Sequence, residues 1–303
     1  MIYFCADDYG LDDISSMHIK ECIDAGALNK VSVFPNFDKI ELHKLLENKN
    51  IYVSLHLNLV EGKCIANRDK LNLIADENGC FRHTFGGLFK LNLLKPKELE
   101  NQAYKEIRAQ VLLWKSILPD NAPFYIDSHQ HIHMIPSVFN ALVRVLKDEN
   151  INLRYIRIPA EPIMPYLKMP SLYHTYSAVN IIKQWLLNFL WLVNKKHSKE
   201  YNIPISYFFG ILFSGKMNEK RVNKVLPEYI KLAERDGCDI EVLFHPGYMN
   251  KPLTDKDSKN IMFEKFYLSE NRKTEFDSVM NISANKKAEV HSATNIIERS
   301  VHK

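Results

Sequence analysis

Residues 124–149, FYIDSHQHIHMIPSVFNALVRVLKDE, hold the pattern on which the fold turns. A short apolar run, Phe124–Ile126, ends in Asp127-Ser128-His129-Gln130-His131-Ile132-His133, and helical periodicity follows from Ser137 to Glu149. Strand, polar segment and helix in that order make one β–α unit, with chemistry-bearing side chains where the strand stops. The arrangement recurs along the chain. Ile2–Cys5, Lys30–Pro35, Ile51–Leu59, Leu153–Ile158, Tyr207–Phe213 and Ile240–Phe244 read as further strands. Helices are expected at Ile14–Ala25, Asp38–Glu47, Pro96–Ile117, Ala178–Lys196, Asn218–Arg235 and Asp255–Ser269. Such alternation implies parallel strands joined by right-handed crossovers. About seven repeats predict an α/β fold, a closed or nearly closed (β/α) barrel.

A chain of 303 residues fits one large barrel or two ordinary domains, and 46% apolar composition provides for a sizeable core. One domain is expected over residues 1–283, with insertions at about 60–94 and 159–205 and a polar tail at 284–303. Long excursions after strands are where barrels build substrate walls. The net charge of +4 and the lack of a basic patch interleaved with aromatics argue against a nucleic-acid partner. Lys195, Lys196 and Lys199 read as a solvated helix end. The five cysteines include no C-x-x-C pair, which suits reduced thiols rather than a disulfide framework or zinc ribbon. Met1 runs straight into an apolar strand without a leader pattern, so a cytoplasmic location is expected. Ile181–Val193 is too short and too polar to span a bilayer and reads as a packed amphipathic helix, with contact to a partner or a membrane surface as the alternative.

Four polar segments end predicted strands. Barrel enzymes assemble their sites from such positions on one rim. Asp7 and Asp8 close the first; neighbouring strand residues point apart, so one carboxylate is expected to ligate a metal and the other to take a proton from water. A turn or helix cap is the structural alternative. His56 shares a strand face with Ser54 and Asn58. In extended backbone His129, His131 and His133 would face one way. One of them is expected to bind metal, Asp127 to orient a ring, and the others to meet substrate. His245, in His245-Pro246-Gly247, is a candidate general acid. Arg157 can orient a carboxylate or stabilise developing negative charge. A carboxylate and two imidazoles form a three-ligand site with open positions, suited to Zn²⁺, Mn²⁺ or Co²⁺ more than Mg²⁺.

In this order the segments resemble the YdjC-like carbohydrate deacetylases, whose characterised members include chitooligosaccharide deacetylases. The matching motifs are Asp7-Asp8-Tyr9-Gly10, Leu55-His56-Leu57, Asp127 to His133, and His245-Pro246-Gly247. Arg157-Ile158-Pro159, Phe208 to Gly215 and Asn271-Arg272-Lys273-Thr274-Glu275 are weaker echoes. The resemblance implies a distorted (β/α) barrel of the glycoside hydrolase/deacetylase type. It implies removal of an N-acetyl group from an amino sugar or short oligosaccharide, with Asp8, His56 and His129 on a divalent metal, Asp7 as base and His245 as acid. The family is described as Mg²⁺-dependent. Cys5 and Ser54 depart from an Asn and a Gly common at those places, which bears on pocket shape. Tyr9, Tyr173, Trp185 and Tyr248 are candidates to stack on a sugar ring. A non-haem iron oxygenase uses a similar ligand set but sits in a β-sandwich. A catalytically silent carbohydrate-binding protein would have no need of both Asp7 and His245. A homodimer is among the assemblies the sequence allows.

Overall fold

The computed structural model describes residues 1–37, 42–197, 203, 206–249 and 264–283. Seven strands form one sheet: β1 (Ile2–Tyr9), β2 (Lys30–Val33), β3 (Tyr52–Leu57), β4 (Phe124–Ser128), β5 (Leu153–Ile156), β6 (Ser206–Phe209) and β7 (Asp239–Phe244). Their order is β5-β4-β3-β2-β1-β7-β6, and every pairing is parallel. All seven coincide with strands expected from the sequence. The helices are α1 (Asp13–Asp24), α2 (Leu42–Glu47), α3 (Phe85–Leu94), α4 (Pro96–Ile117), α5 (Pro136–Asp148), α6 (Met164–Leu167), α7 (Ala178–Asn194), α8 (Glu219–Asp236), α9 (Glu264–Tyr267) and α10 (270–283). The helix expected at Asp255–Ser269 lies partly outside the described residues, and the tail at 284–303 wholly so; α10 was not anticipated.

Local chemistry sets the helix ends. Asp12 caps α1 by accepting the N–H groups of Ile14 and Ser15. Pro96 and Pro136 open α4 and α5, where a missing N–H costs nothing. Gly237 ends α8 in the left-handed conformation. Along α4, Leu99, Ala103, Ile107, Val111 and Trp114 recur at helical spacing and are buried, forming the stripe that packs against α5 and the sheet.

The sheet curls into a half-barrel. Tyr155 on β5 hydrogen-bonds Ser206 on β6 at 2.9 Å and also reaches Glu241 on β7, although β5 and β6 are the opposite edges of the sheet. No ladder joins those edges among the described residues. Helix α7 lies across the seam at the carboxyl end of the strands. Its Leu187 and Leu190 pack with Met134, Phe208, Ile211 and Leu243. Asn180 donates to the carbonyls of Leu212 and Ser214, Asn188 to that of Glu161, and Asn194 to that of Met134. The insertion after β5 thus supplies a wall where a barrel would have a strand pair. β6 stops at Phe209, short of the expected Phe213, because the N–H groups of Gly210, Ile211 and Leu212 turn inward onto the buried Glu161 carboxylate. Burial pushes that carboxyl above its usual range, against the pull of those N–H donors and Tyr166.

The two faces of α7 are expected to respond differently to truncation. Leu190→Ala should cost about 2–5 kcal/mol by the cavity it leaves. Ile182→Ala, on a side chain 67% exposed, should change stability by no more than about 0.5 kcal/mol. Paired urea denaturation curves check this; equal losses would mean that the helix is packed the other way.

Candidate active site

The site begins with an irregularity in β1. The register of β1 against β2 slips between Ala6 and Tyr9, and Asp8 takes φ +72°. This is a β-bulge, with Asp in a left-handed conformation it tolerates better than most residues. The expected alternation, which sends Asp7 and Asp8 apart, is broken, and both carboxylates meet at one imidazole. Asp8, His56 and His129 offer ligand atoms within 4.8 Å of one another, and so do Asp7, His56 and Asp127.

Each member is held from behind. Asp127 ends β4 beside His56 of β3, whose register pairs the two residues. Its Oδ1 lies 2.6 Å from His56 Nδ1, while its Oδ2 accepts from Ser32 at 2.7 Å. His56 Nε2 is left buried without a hydrogen-bond partner, 3.6 Å from Asp8 Oδ1. His129 Nδ1 lies 3.0 Å from the same oxygen, and its Nε2 faces Glu61 Oε1 at 3.4 Å. Arg272 of α10 binds Asp8 Oδ2 at 2.5 Å and the Gly247 carbonyl at 2.7 Å.

The three histidines after β4 do not face one way. Gln130 and His131 have φ of 52° and 58° inside a 3-10 turn over His129–Met134, so successive rings enter different surroundings. His129 joins the cluster. His133 Nε2 donates to the Arg157 carbonyl at 2.8 Å and its Nδ1 meets the Ser128 hydroxyl; burial lowers its pKa to about 4, so it is a neutral strut. His131 packs edge-on to Phe208 with Nδ1 unpartnered, and burial, with Lys183 and Arg157 nearby, holds it well below the usual imidazole range.

Arg157 is fully buried. Its guanidinium forks onto Asp7 at 2.7 and 2.8 Å and onto Glu241 at 2.6 and 2.9 Å, so it orients carboxylates. His245 follows β7, where Phe244 pairs with Ala6, and so stands beside Asp7 on the rim. Its N–H donates to Glu275 of α10 at 2.6 Å, and its Nδ1 lies 3.5 Å from that carboxylate. Gly247 is required two residues later: a Cβ there would stand 2.8 Å from Ser15 Cβ. Of the ring-stacking candidates, Tyr9 is buried in the core and Tyr248 is stacked on His18, while Tyr173 and Trp185 stand exposed on the insertion.

Charge is concentrated and nearly balanced. Burial opposes ionisation of Asp8, but Arg272, His129 and His56 hold it well below the usual carboxylate range. Burial likewise opposes ionisation of Asp7 and Asp127, and Arg157 and His56 together outweigh it for both. Burial would lower His56 and His129, yet Asp7, Asp127 and Asp8 raise the first, and Glu61 and Asp8 carry the second to about 10. A cation entering the cluster displaces those protons while keeping the carboxylates satisfied. The donor set therefore fits a divalent metal, with the unpartnered His56 Nε2 as its clearest sign.

Glu61 and Tyr267 escaped the sequence reading, and Arg272 and Glu275 stood in it only as part of a weaker family echo, without a role. Glu61 lies after β3, fixed by the Asn58 side chain, which accepts from the N–H of Glu61 at 3.0 Å and donates to its carbonyl at 2.6 Å. Tyr267 donates to Glu61 at 3.0 Å. Arg272 and Glu275 occupy the buried face of α10 with Val279 and Ile282. Charged residues at core spacing in an amphipathic helix were the signal for that pair.

Fold and cluster together define a parallel half-barrel protein with a candidate metal centre on its carboxyl-end rim. The chain belongs to the YdjC-like protein family, whose model matches residues 1–288. Among its relatives is a Xenopus laevis carbohydrate deacetylase, 26% identical over 266 residues, covering 81% of this chain and 80% of that protein. A Clostridium beijerinckii carbohydrate deacetylase is 26% identical over 191 residues, 61% of this chain and 73% of the relative. One from Danio rerio is 29% identical over 174 residues, 57% of this chain; the match spans about half (54%) of that relative's length. The fold is similar to a crystal structure of a candidate cellobiose-phosphate cleavage protein from Enterococcus faecalis V583, with TM-score 0.58 and 14% identity over 93% of this chain and 94% of that one.

Two outcomes follow from this geometry. Asp127→Asn should weaken divalent-metal binding about 10–100-fold, measured by calorimetry on chelator-stripped protein, because His56 loses the partner that sets its tautomer. In wild type, Asp7, Asp8, Asp127 and Glu241 are all depressed, so their stabilising contribution is full above the ordinary carboxylate value near 4 and is lost as pH falls below it. Arg157→Met strands three carboxylates and should cost about 3–5 kcal/mol at neutral pH. Their folded-state pKa values then rise above the unfolded ones, so part of the loss should be recovered toward pH 5. Thermal melts across pH check the sign; a loss that grows on acidification would contradict it.

Proposed function

We propose that this protein is a metal-dependent hydrolase that removes an N-acetyl group from an amino sugar or short oligosaccharide and releases acetate. The observation that carries the reading is the Asp8–His56–His129 cluster, with an unpartnered imidazole nitrogen beside a second carboxylate, Asp7. Family membership and relatives named carbohydrate deacetylases support it.

In this reading Asp8, His56 and His129 hold one divalent ion. When bound, such an ion supplies carbonyl polarisation and an activated water. Asp7 stays ionised because Arg157 grips both its oxygens, and Oδ2, which accepts only from Arg157, keeps a lone pair with which to take the proton of the attacking water. Asp127 fixes His56 from behind, and Glu61 does the same for His129. His245, on the rim with Nδ1 unpartnered, gives the departing amine its proton, since an amide anion is too poor a leaving group. The mixed oxygen and nitrogen donors accommodate Zn²⁺, Mn²⁺ or Co²⁺ readily, and Mg²⁺ remains the family's expectation. The parallel half-barrel weighs against the iron-oxygenase alternative, whose site normally sits in a β-sandwich; iron-dependent oxygen uptake would revive it.

The test is acetate release from N,N′-diacetylchitobiose and a panel of N-acetylated sugars, using stripped protein with each metal added back. Asp7→Asn and His245→Ala should each lower kcat by about 10²–10⁴ while metal binding survives. His129→Ala should lose both metal and activity. Acetate release that persists in Asp7→Asn would remove the assigned base. Metal-loaded protein that binds the sugars without releasing acetate would favour a binding role instead.

A further inference from the structure

The seam-covering insertion has a second face. Sixteen large apolar side chains stand exposed among the described residues, and ten of them lie between residues 159 and 197. On α7 they form one stripe: Val179, Ile182, Trp185, Phe189 and Leu192 are 58–72% exposed at spacings of three and four residues. Gln184, Leu187, Leu190 and Asn194 occupy the opposite, buried face. The stripe runs the length of a 17-residue helix without a charged side chain, a contiguous apolar patch of the kind that marks an interaction surface. Exposed Lys195 and Lys196 follow at its end.

Charge distinguishes among occupants. Residues 159–197 contain four lysines and a single acid, Glu161, which is 2% exposed and engaged inside the fold; Lys168 is paired with Glu228 and Lys183 is half-buried, which leaves Lys195 and Lys196 as the exposed cations at the end of the stripe. A second copy of the chain, paired antiparallel through this stripe, would set Lys195 and Lys196 against the partner's α7 amino terminus. That terminus is positive by its dipole and has no acidic residue in its first turn. An anionic surface complements both ends of the helix at once. The aromatic and aliphatic content of the stripe, with lysines at its margin, is that of a helix lying in a lipid interface. No described helix is long and apolar enough to cross a membrane, so contact would be with the surface.

We propose that the outer face of α7, with Lys195 and Lys196 at its end, docks this protein on a membrane surface bearing anionic lipid headgroups. The proposal stands apart from the hydrolytic reading and requires none of the metal-cluster residues.

The experiment is flotation of the full chain with phosphatidylcholine vesicles, with and without phosphatidylglycerol, at low and high salt. Wild type is compared with Trp185→Glu/Phe189→Glu, with Lys195→Glu/Lys196→Glu, and with Met17→Glu, whose exposed side chain lies on α1. Circular dichroism confirms folding, and light scattering reports the oligomeric state. Wild type and Met17→Glu should float with anionic vesicles, and high salt should weaken this. Both double variants should bind about tenfold less. Wild type that stays unbound with anionic vesicles, or a Trp185→Glu/Phe189→Glu variant that floats equally well, overturns the proposal. So does a wild-type dimer, split by that variant, in which neither form binds vesicles; the stripe would then belong to a second copy.

Discussion

One guanidinium organises the interior. Arg157 arrives from the end of β5 and meets Asp7 of β1 and Glu241 of β7, with Asp127 of β4 at 3.3 Å. Lys30 of β2 meets Glu241 at 3.0 Å and sits over the Tyr155 ring. Five strands therefore contribute to one charged layer that is closed to water. Each ion carries a desolvation penalty of several kcal/mol unless its partners are in place. A one-residue slip in any of these strands would turn its charged side chain away from the layer. The layer thus acts as a register lock, and the same lock sets the Asp7 carboxylate beside the candidate metal cluster.

The strands were legible because each is a short apolar run bounded by polar or turn residues, and the parallel half-barrel followed from their alternation with helices. Their ends were less so. β1 runs to Tyr9 rather than Cys5, because pairing with β2 resumes at Tyr9 beyond a bulge that holds Asp7 and Asp8, and apolar pattern cannot reveal a bulge. The expectation that His129, His131 and His133 share a face assumed extended backbone. A turn with two left-handed residues, in which the His133 N–H donates to Ser128 Oγ, replaced it, and propensity carries no signal for that choice.

The cluster was legible as a set of strand-end carboxylates and imidazoles, and Asp7, Asp8, His56, Asp127, His129 and Arg157 do converge. The supports were not. Glu61 depends on the Asn58 side chain folding the chain back after β3, and Arg272 depends on a helix more than 260 positions from Asp8. Long-range partners of this kind emerge from packing, and a single sequence encodes them only as charged residues on an otherwise apolar face.

The seam between β5 and β6 separates two kinds of constraint. The charged layer and the cluster are built by strands and by α10, and every residue there answers to several others. The wall over the seam is one excursion fastened by three asparagine side chains, the buried Glu161 carboxylate, a Lys168–Glu228 ion pair and an apolar contact. Its length and outward chemistry can be rewritten without disturbing a ladder hydrogen bond. Such a half-barrel has an evolutionary hinge point: descendants can exchange the covering segment, and with it whatever the protein touches, while inheriting the reactive centre intact.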